Sequence, residues 1–433
     1  MTIQQSIEDQ QEFVLILDTE LLEQMRSYQA HSETQEPGEL KGYLSTEKNI
    51  AFIIKMDVCG QEFFSSSLFQ KLYSRERDFD FNCPIYFDEN SPIQEDIALL
   101  LVKSAEIEKT PPITGLLKDQ TQVNLVKTQV LNFEGDLFSR VRGIFDTNLI
   151  KDKQVAVFGL GSGGSLVAIE LAKCGIDRFA LFDFDRLEIQ NISRHVCGLQ
   201  DLGRLKTDAV ADLILNINPR ASVQKFPFDI SDPANRETII EVANQSDVLV
   251  MATDSEGSRF LINEVALLTD RPLFYAGVYD RGKGGEVLRI IPGVTACYGC
   301  LNESIGRLSE ELIENKKVNY SILPADSGKV EAVPGLNVDV AFIALLHTKM
   351  ILTYLIRQVN PEYPDIEENL IIWGNTTFPG VFDRPLVIAK ITLPPHANCS
   401  VCQGTGRLPS EGTTAPLDLS QVEEVDWKNE EKL

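Results

Sequence analysis

The sequence predicts an α/β chain: a doubly wound, largely parallel sheet over most of its length, preceded by a smaller α+β domain. Three observations predict it. Strand-like and helix-like segments alternate from Val155 onward. The first strand, Val155-Ala-Val-Phe158, runs into Gly159-Leu-Gly161-Ser-Gly-Gly164 and then a helix-forming stretch, Ser165 to Ala172. The next strand, Phe179-Ala-Leu-Phe182, closes on Asp183, about twenty residues on, where such units put a ribose-binding acid. Glycines permit a tight turn and close approach of backbone to a phosphate, and the helix behind it points free N–H groups and its positive dipole end there. Alone, this unit reads as a nucleotide-binding βαβ element or as a glycine turn without a ligand.

In order along the chain, Phe13 to Leu17 reads as a strand, and Thr19 to Tyr28 as an amphipathic helix with Leu21, Leu22 and Met25 on one face. Pro37-Gly38 breaks the chain, and Ala51 to Met56 and Ile97 to Val102 are further strands. Lys109 to Lys118, with its Pro-Pro pair and Gly, reads as a linker; Thr121 to Leu131 fits strand or helix. The expected division is an accessory domain over 1–115, a linker over 116–136, the nucleotide domain over 137–403 and an acidic flexible tail over 404–433. Within the third part, Thr207 to Ile217 is a helix, Ser222 to Pro227 a strand and Ile239 to Ala243 helical. Asp247 to Thr253 is a buried strand ending at Asp254, at the edge where open α/β sheets hold ligands. Arg259 to Leu268 returns as a helix, Pro272 to Gly277 and Gly285 to Ile291 are strands, and Val338 to Tyr354 is a long apolar helix carrying a packed His347.

At 433 residues the chain has room for two or three domains. Its net charge of −24 shows no basic stripe and argues against nucleic acid, while suiting a basic protein partner or simple solubility. No N-terminal apolar leader is visible and no apolar run approaches membrane-span length, so a soluble, cytoplasmic protein is expected. Four of the eight cysteines form two pairs, Cys297-Tyr-Gly-Cys300 and Cys399-Ser-Val-Cys402. In a long chain without a leader these point to a closed, structural Zn2+ site rather than to disulfides.

The loop after the second strand is more specific: Asp183-Phe-Asp185-Arg-Leu-Glu188-Ile-Gln-Asn191-Ile-Ser-Arg194-His, then Gly203-Arg-Leu-Lys206. A nicotinamide dehydrogenase needs one acid here and has no use for a second acid, an Asn, an Arg and a Lys. A triphosphate does: carboxylate for ribose, cations for phosphate oxygens. With Ala252-Thr-Asp254 and the two cysteine pairs, this run resembles the ThiF/MoeB-type adenylyltransferase family, relatives of the ubiquitin-activating enzymes, over about Leu137 to Cys402. The first domain resembles, weakly, an MPN/JAB-type domain through Glu36-Pro-Gly-Glu39-Leu-Lys-Gly42, but its single His31 cannot supply a metallopeptidase site, which leaves a protein-binding or dimerising role.

The resemblance implies a Rossmann-like adenylation domain, with ATP and Mg2+ as cofactors. The C-terminal glycine carboxylate of a small ubiquitin-like, β-grasp protein would attack the α-phosphate, with a conjugating enzyme as a further partner. It implies Gly159, Gly161 and Gly164 at the nucleotide turn, and Asp183 on ribose with Asp185 beside it. Asn191, Arg194 and Lys206 would serve the phosphates, and Asp254 the magnesium. Leu137-Phe-Ser-Arg140 resembles the family's Tyr-Ser-Arg-Gln entry, which implies a homodimer with Arg140 reaching a neighbour's ATP; an ordinary surface Arg fits equally. The chain departs from the family's thioester-forming members in having no Cys between Cys300 and Cys399, where Tyr320 and Ser321 stand. Cys197, just past Arg194, is the candidate thiol, with a packed residue as the plainer reading. A sulfur-carrier or tRNA-modifying adenylyltransferase and a non-catalytic scaffold are the alternatives.

Overall fold

The computed structural model describes residues 14–31, 37–45, 50–73, 78–79, 81–86, 97–101, 113–119, 122–132, 137–304, 335–357, 360, 363, 365–377 and 382–403. They fall into two units, Met1–Ser139 and Arg140–Leu433. The expected tail over 404–433 and the Tyr320–Ser321 stretch lie outside the described residues.

In the first unit, strands β1 (Val14–Asp18), β2 (Gly38–Leu44), β3 (Ile50–Val58), β4 (Gln61–Phe64), β5 (Phe81–Tyr86), β6 (Ile97–Leu101), β7 (Ile113–Asp119) and β8 (Gln122–Leu131) form one sheet. Its order is β1-β8-β7-β6-β5-β2-β3-β4, and β1 also pairs with β3, so seven strands close on themselves. Helix α1 (Thr19–His31) buries Leu21, Leu22 and Met25, the face its apolar spacing marks out. Asp18 begins it, accepting from the Leu21 amide at 3.1 Å and from the Ser66 amide at 2.7 Å, just ahead of α2 (Ser67–Tyr73). The linker expected over 116–136 is corrected: β7 and β8 pair as an antiparallel hairpin there, and β8 runs parallel to β1.

The second unit is built on β9 (Gln154–Phe158), α3 (Ser162–Lys173), β10 (Arg178–Phe182), α4 (Lys206–Ile217), β11 (Ser222–Phe226), α5 (Arg236–Gln245), β12 (Val248–Met251), α6 (Glu256–Thr269), β13 (Leu273–Val278), β14 (Gly284–Ile290), α7 (Asn337–Ile356), β15 (Leu370–Gly374) and β16 (Val387–Ile391). Sheet order is β11-β10-β9-β12-β13-β14-β15-β16. Every residue of β9 is buried. Val155 and Val157 join one core with Val167 of α3, Ala209 of α4 and Ile343 of α7, whereas Ala156 and Phe158 join the other with Ile239 of α5 and Ile262 of α6. Period-two alternation thus feeds two cores, and the sheet is wound on both faces.

The five strands β11, β10, β9, β12 and β13 are parallel; β14, β15 and β16 are antiparallel. "Largely parallel" therefore describes only the first part of the sheet. The reason is the short β13–β14 connection, too short for a helical crossover. The expected absence of any span-length apolar run is also corrected: α7 has 20 residues and a mean hydropathy of 1.5, enough by length and composition to cross a membrane. In this fold it packs on α3, β13 and β14, which explains its apolar sequence as core.

Crossovers leave β9 toward one face and reach β12 from the other. The carboxyl ends of β9 and β12 therefore diverge, and a crevice opens between them.

Candidate functional site

The glycine turn sits in that crevice. Gly159 has φ +89°, and a Cβ there would lie 2.7 Å from the Ala252 carbonyl oxygen at the end of β12; at Gly164 it would lie 1.9 Å from the Gly159 carbonyl oxygen. Both positions exclude any other residue. A Cβ on Gly161 would meet nothing within 4 Å, so this part of the turn faces open space at the start of α3. Backbone amides at a helix start, with no side chain over them, form an anion cradle.

The Leu160 peptide, at the centre of the turn, is held at both ends. Its N–H donates to Asp183 Oδ2 at 2.7 Å, and its carbonyl accepts from His195 Nε2 at 2.7 Å. The Cys197 amide donates to His195 Nδ1 at 3.1 Å, so Nδ1 is the accepting nitrogen and the proton resides on Nε2. Burial holds the His195 pKa below its ordinary value and keeps the ring neutral. His195 carried no role in the sequence reading; its only signal was its place directly after Arg194.

Asp183 also accepts from the Asp185 amide at 2.9 Å. Burial raises its pKa, opposed mainly by the charge of Lys206. Lys206 is itself buried at the start of α4; its Nζ lies 2.7 Å from Asp185 Oδ2 and 3.9 Å from Asp183 Oδ1. Asn191 uses its Oδ1 to accept from the Glu188 amide at 2.9 Å, leaving its amide end as the part that can donate. Arg194 extends toward the start of α7: its Nη1 is 3.9 Å from where a Cβ of Gly335 would be. Asp254 is exposed just past β12, beside the Ala252 backbone that Gly159 touches.

The fold therefore brings together the glycine turn, Asp183, Asp185, Lys206 and the Asn191–His195 loop, with Asp254 on the neighbouring strand end. Among the described residues, two candidates show no side-chain bond to this group. Arg140 is exposed on the one-turn helix Ser139–Arg142. Cys197 is 3% exposed within a hydrophobic core, and burial, with Asp201 next, pushes its thiol up to about 12. A protonated, packed thiol is a poor nucleophile, which fits the plainer reading of Cys197 as a packed residue.

Cys297, Cys300, Cys399 and Cys402 are all buried, and their sulfurs lie within 4.8 Å of one another. Three of the separations are 3.7, 3.7 and 3.6 Å. Four sulfurs at about 2.3 Å from one ion would stand about 3.8 Å apart, so the donor set fits a tetrahedral metal. The His396 amide donates to Cys300 Sγ at 3.2 Å, a second bond of the kind that orients a thiolate ligand.

Residues 125–375 match the model of the ThiF family. The chain belongs to the ThiF family. Among curated proteins, ubiquitin-like modifier-activating enzyme 5 of Bombyx mori is 28% identical over 190 residues, 42% of this chain and 48% of that protein. The protein of the same name from Drosophila willistoni is 26% identical over 259 residues, 55% of this chain and 63% of that one. The chain thus spans only part of the length of these relatives. Among solved structures, E. coli MccB with ATP is 19% identical, with a TM-score of 0.45 over 59% of this chain and 69% of that one. The family model begins within β8 and ends just past β15, so it takes in the crevice and Cys297–Cys300 and stops short of Cys399 and Cys402.

Proposed function

We propose that this ThiF-family chain is an adenylyltransferase that uses ATP to activate the C-terminal glycine carboxylate of a small ubiquitin-like protein. One observation carries the reading: the Asp183–Lys206 loop folds back onto the glycine turn, putting cations beside an anion cradle in a chain of this family. The relatives are named for activating ubiquitin-like modifiers. A carboxylate oxygen bonds to the α-phosphorus, the bond to the β-phosphate oxygen breaks, and pyrophosphate leaves with its electron pair. The chemical demand is to hold two anions together and to neutralise the charge that develops between them.

In this reading the amides around Gly161 and Gly164 bind phosphate and Asp183 accepts from ribose. The Asn191 amide and Arg194 serve the phosphate oxygens. Lys206 exchanges part of its pairing with Asp185 for phosphate. Asp254 would hold magnesium, which supplies charge neutralisation between phosphate oxygens when bound. The four thiolates would hold structural zinc. Arg140 would act from a second copy of the chain in a homodimer. Reduced thiols and ATP fit a cytoplasmic setting. With Cys197 packed, the adenylate is the product passed on, to a conjugating enzyme or another acceptor.

The experiment is exchange of labelled pyrophosphate into ATP with a β-grasp protein ending in Gly. Carrier-dependent exchange is expected, abolished by Arg194→Ala. Tight NAD binding without any response to ATP would overturn the reading.

A further inference from the structure

Asp254 stands on a short bridge, Ala252 to Ser255, between β12 and α6. Both ends of this bridge are fixed. The Ala252 amide donates to the Phe158 carbonyl at 2.9 Å, and Ser255 Oγ accepts from the Ser258 amide at 3.2 Å, capping α6. The middle is held from α6 by a single side chain: Arg259 Nε donates to the carbonyl of Thr253 at 3.0 Å. Thr253 is the residue bonded to Asp254.

Arg259 is itself held from its other side. Its guanidinium lies over the Tyr275 ring, 5.3 Å from the centroid. Tyr298 lies between Cys297 and Cys300. Its ring meets Tyr275 edge-on at 4.9 Å and Phe260 at 5.1 Å, and its amide donates to Asn263 Oδ1 at 3.0 Å. Beneath Tyr275, the buried Glu286 accepts from the hydroxyls of Tyr275 at 3.1 Å and Tyr279 at 2.9 Å. Desolvation works against the charge on Arg259, but the ring face of Tyr275 and the nearby Glu286 favour the cation. A half-buried cation that donates to a backbone carbonyl rather than to a carboxylate is costly for local stability alone. It is well suited to fixing where the next residue points.

We propose that Arg259 is the positioning residue for Asp254, and that Tyr298, packed edge-on against the Tyr275 ring under Arg259, ties it to the Cys297–Cys300 knuckle, so the thiol cluster sets the aim of this carboxylate. The proposal rests on Asp254 being the carboxylate that holds the nucleotide's divalent cation. Second-sphere contacts of this kind govern metal affinity more than nucleotide affinity.

The test is calorimetric titration of ATP at a series of Mg2+ concentrations, and in magnesium-free buffer, for wild type, Arg259→Gln, Arg259→Lys, Tyr298→Leu and Asp254→Asn. Arg259→Gln is expected to raise the Mg2+ needed for half its full effect about tenfold, while metal-free ATP affinity changes less than about twofold. Arg259→Lys should recover part of the shift, and Tyr298→Leu, which removes the ring packed against Tyr275, should fall between it and wild type. If Arg259→Gln does not fold, Arg259→Lys carries the same comparison. An unchanged Mg2+ dependence in the Arg259 and Tyr298 variants, with a clear shift in Asp254→Asn, would overturn the proposal alone. Equal loss of ATP affinity with and without Mg2+ would reduce Arg259 to a structural role and also overturn it. No shift in Asp254→Asn would remove the reading of Asp254 and the proposal with it.

Discussion

His195 donates its Nε2 proton to the Leu160 carbonyl at 2.7 Å, and this bond ties the Arg194 loop to the glycine turn. Removing the ring leaves a carbonyl in a buried setting without its partner, which costs about 1–3 kcal/mol. His195→Ala is therefore expected to lower stability by that amount and to weaken ATP binding, because the turn and the Arg194 loop lose their shared register. Denaturant unfolding and ATP titration measure the two effects. Unchanged ATP affinity would show that the turn keeps its shape without the ring.

Lys206 is the main cation opposing the burial that raises the Asp183 pKa. An acid whose folded pKa lies above its unfolded value binds more protons folded than unfolded, so stability falls as pH rises through that interval. Lys206→Met takes away the opposing charge and widens the interval. The variant should lose more stability at pH 8 than at pH 5, relative to wild type at each pH. Equal losses at the two pH values would mean that Lys206 acts through packing alone.

Much of this site was legible because it is local in sequence. The turn from β9 to α3 and the run from Asp183 to Lys206 fall within about fifty residues, and residue type alone marks them as phosphate chemistry. His195 and Arg259 were not legible as site residues. Their roles come from bonds to the Leu160 and Thr253 carbonyls, and a backbone partner leaves no mark in sequence. The same holds for β7 and β8, whose pairing with β6 and β1 only the closed sheet determines. Of the two readings of Cys197, its burial fits the packed one, and nearness to Arg194 in sequence could not decide between them.

Thiol chemistry separates the eight cysteines. Cys59 is exposed, while Cys197 is buried with its thiol pushed up to about 12. At pH 8, with the four-thiol cluster intact, alkylation should label Cys59 quickly and Cys197 slowly. Cys197→Ala should leave pyrophosphate exchange unchanged. Mass spectrometry of tryptic peptides reads the first, and loss of exchange in the variant would restore Cys197 as a functional thiol.

The four-thiol cluster should bind one zinc per chain. Chelation, or Cys399→Ser, withdraws binding energy that is folding energy, and a loss of a few kcal/mol lowers the melting temperature by roughly 10 °C in a unit of this size. Metal analysis alongside thermal melts checks both. A zinc-free protein with an unshifted melting curve would argue for four plain packed thiols.

His347, buried in the core face of α7, gives the clearest pH dependence. Its Nε2 has no hydrogen-bond partner among the described residues, and the ring bonds the Phe274 backbone. Burial lowers its pKa to about 4, with the Phe274 bond opposing. Between pH 6.5 and 4 the unfolded chain takes up a proton that the folded chain refuses, so stability is full above pH 6.5 and falls as the pH drops. The loss expected by pH 4 is about 3 kcal/mol from this residue. His347→Leu removes the titrating ring and keeps an apolar side chain of smaller size against β13. Packing changes make its stability differ from wild type by a pH-independent amount, so the slope is the quantity to compare. Denaturant midpoints from pH 7 to pH 4 should fall more steeply for wild type than for His347→Leu. Parallel slopes would show that the ring is hydrated and titrates normally, and that α7 is not the acid-sensitive part of this core.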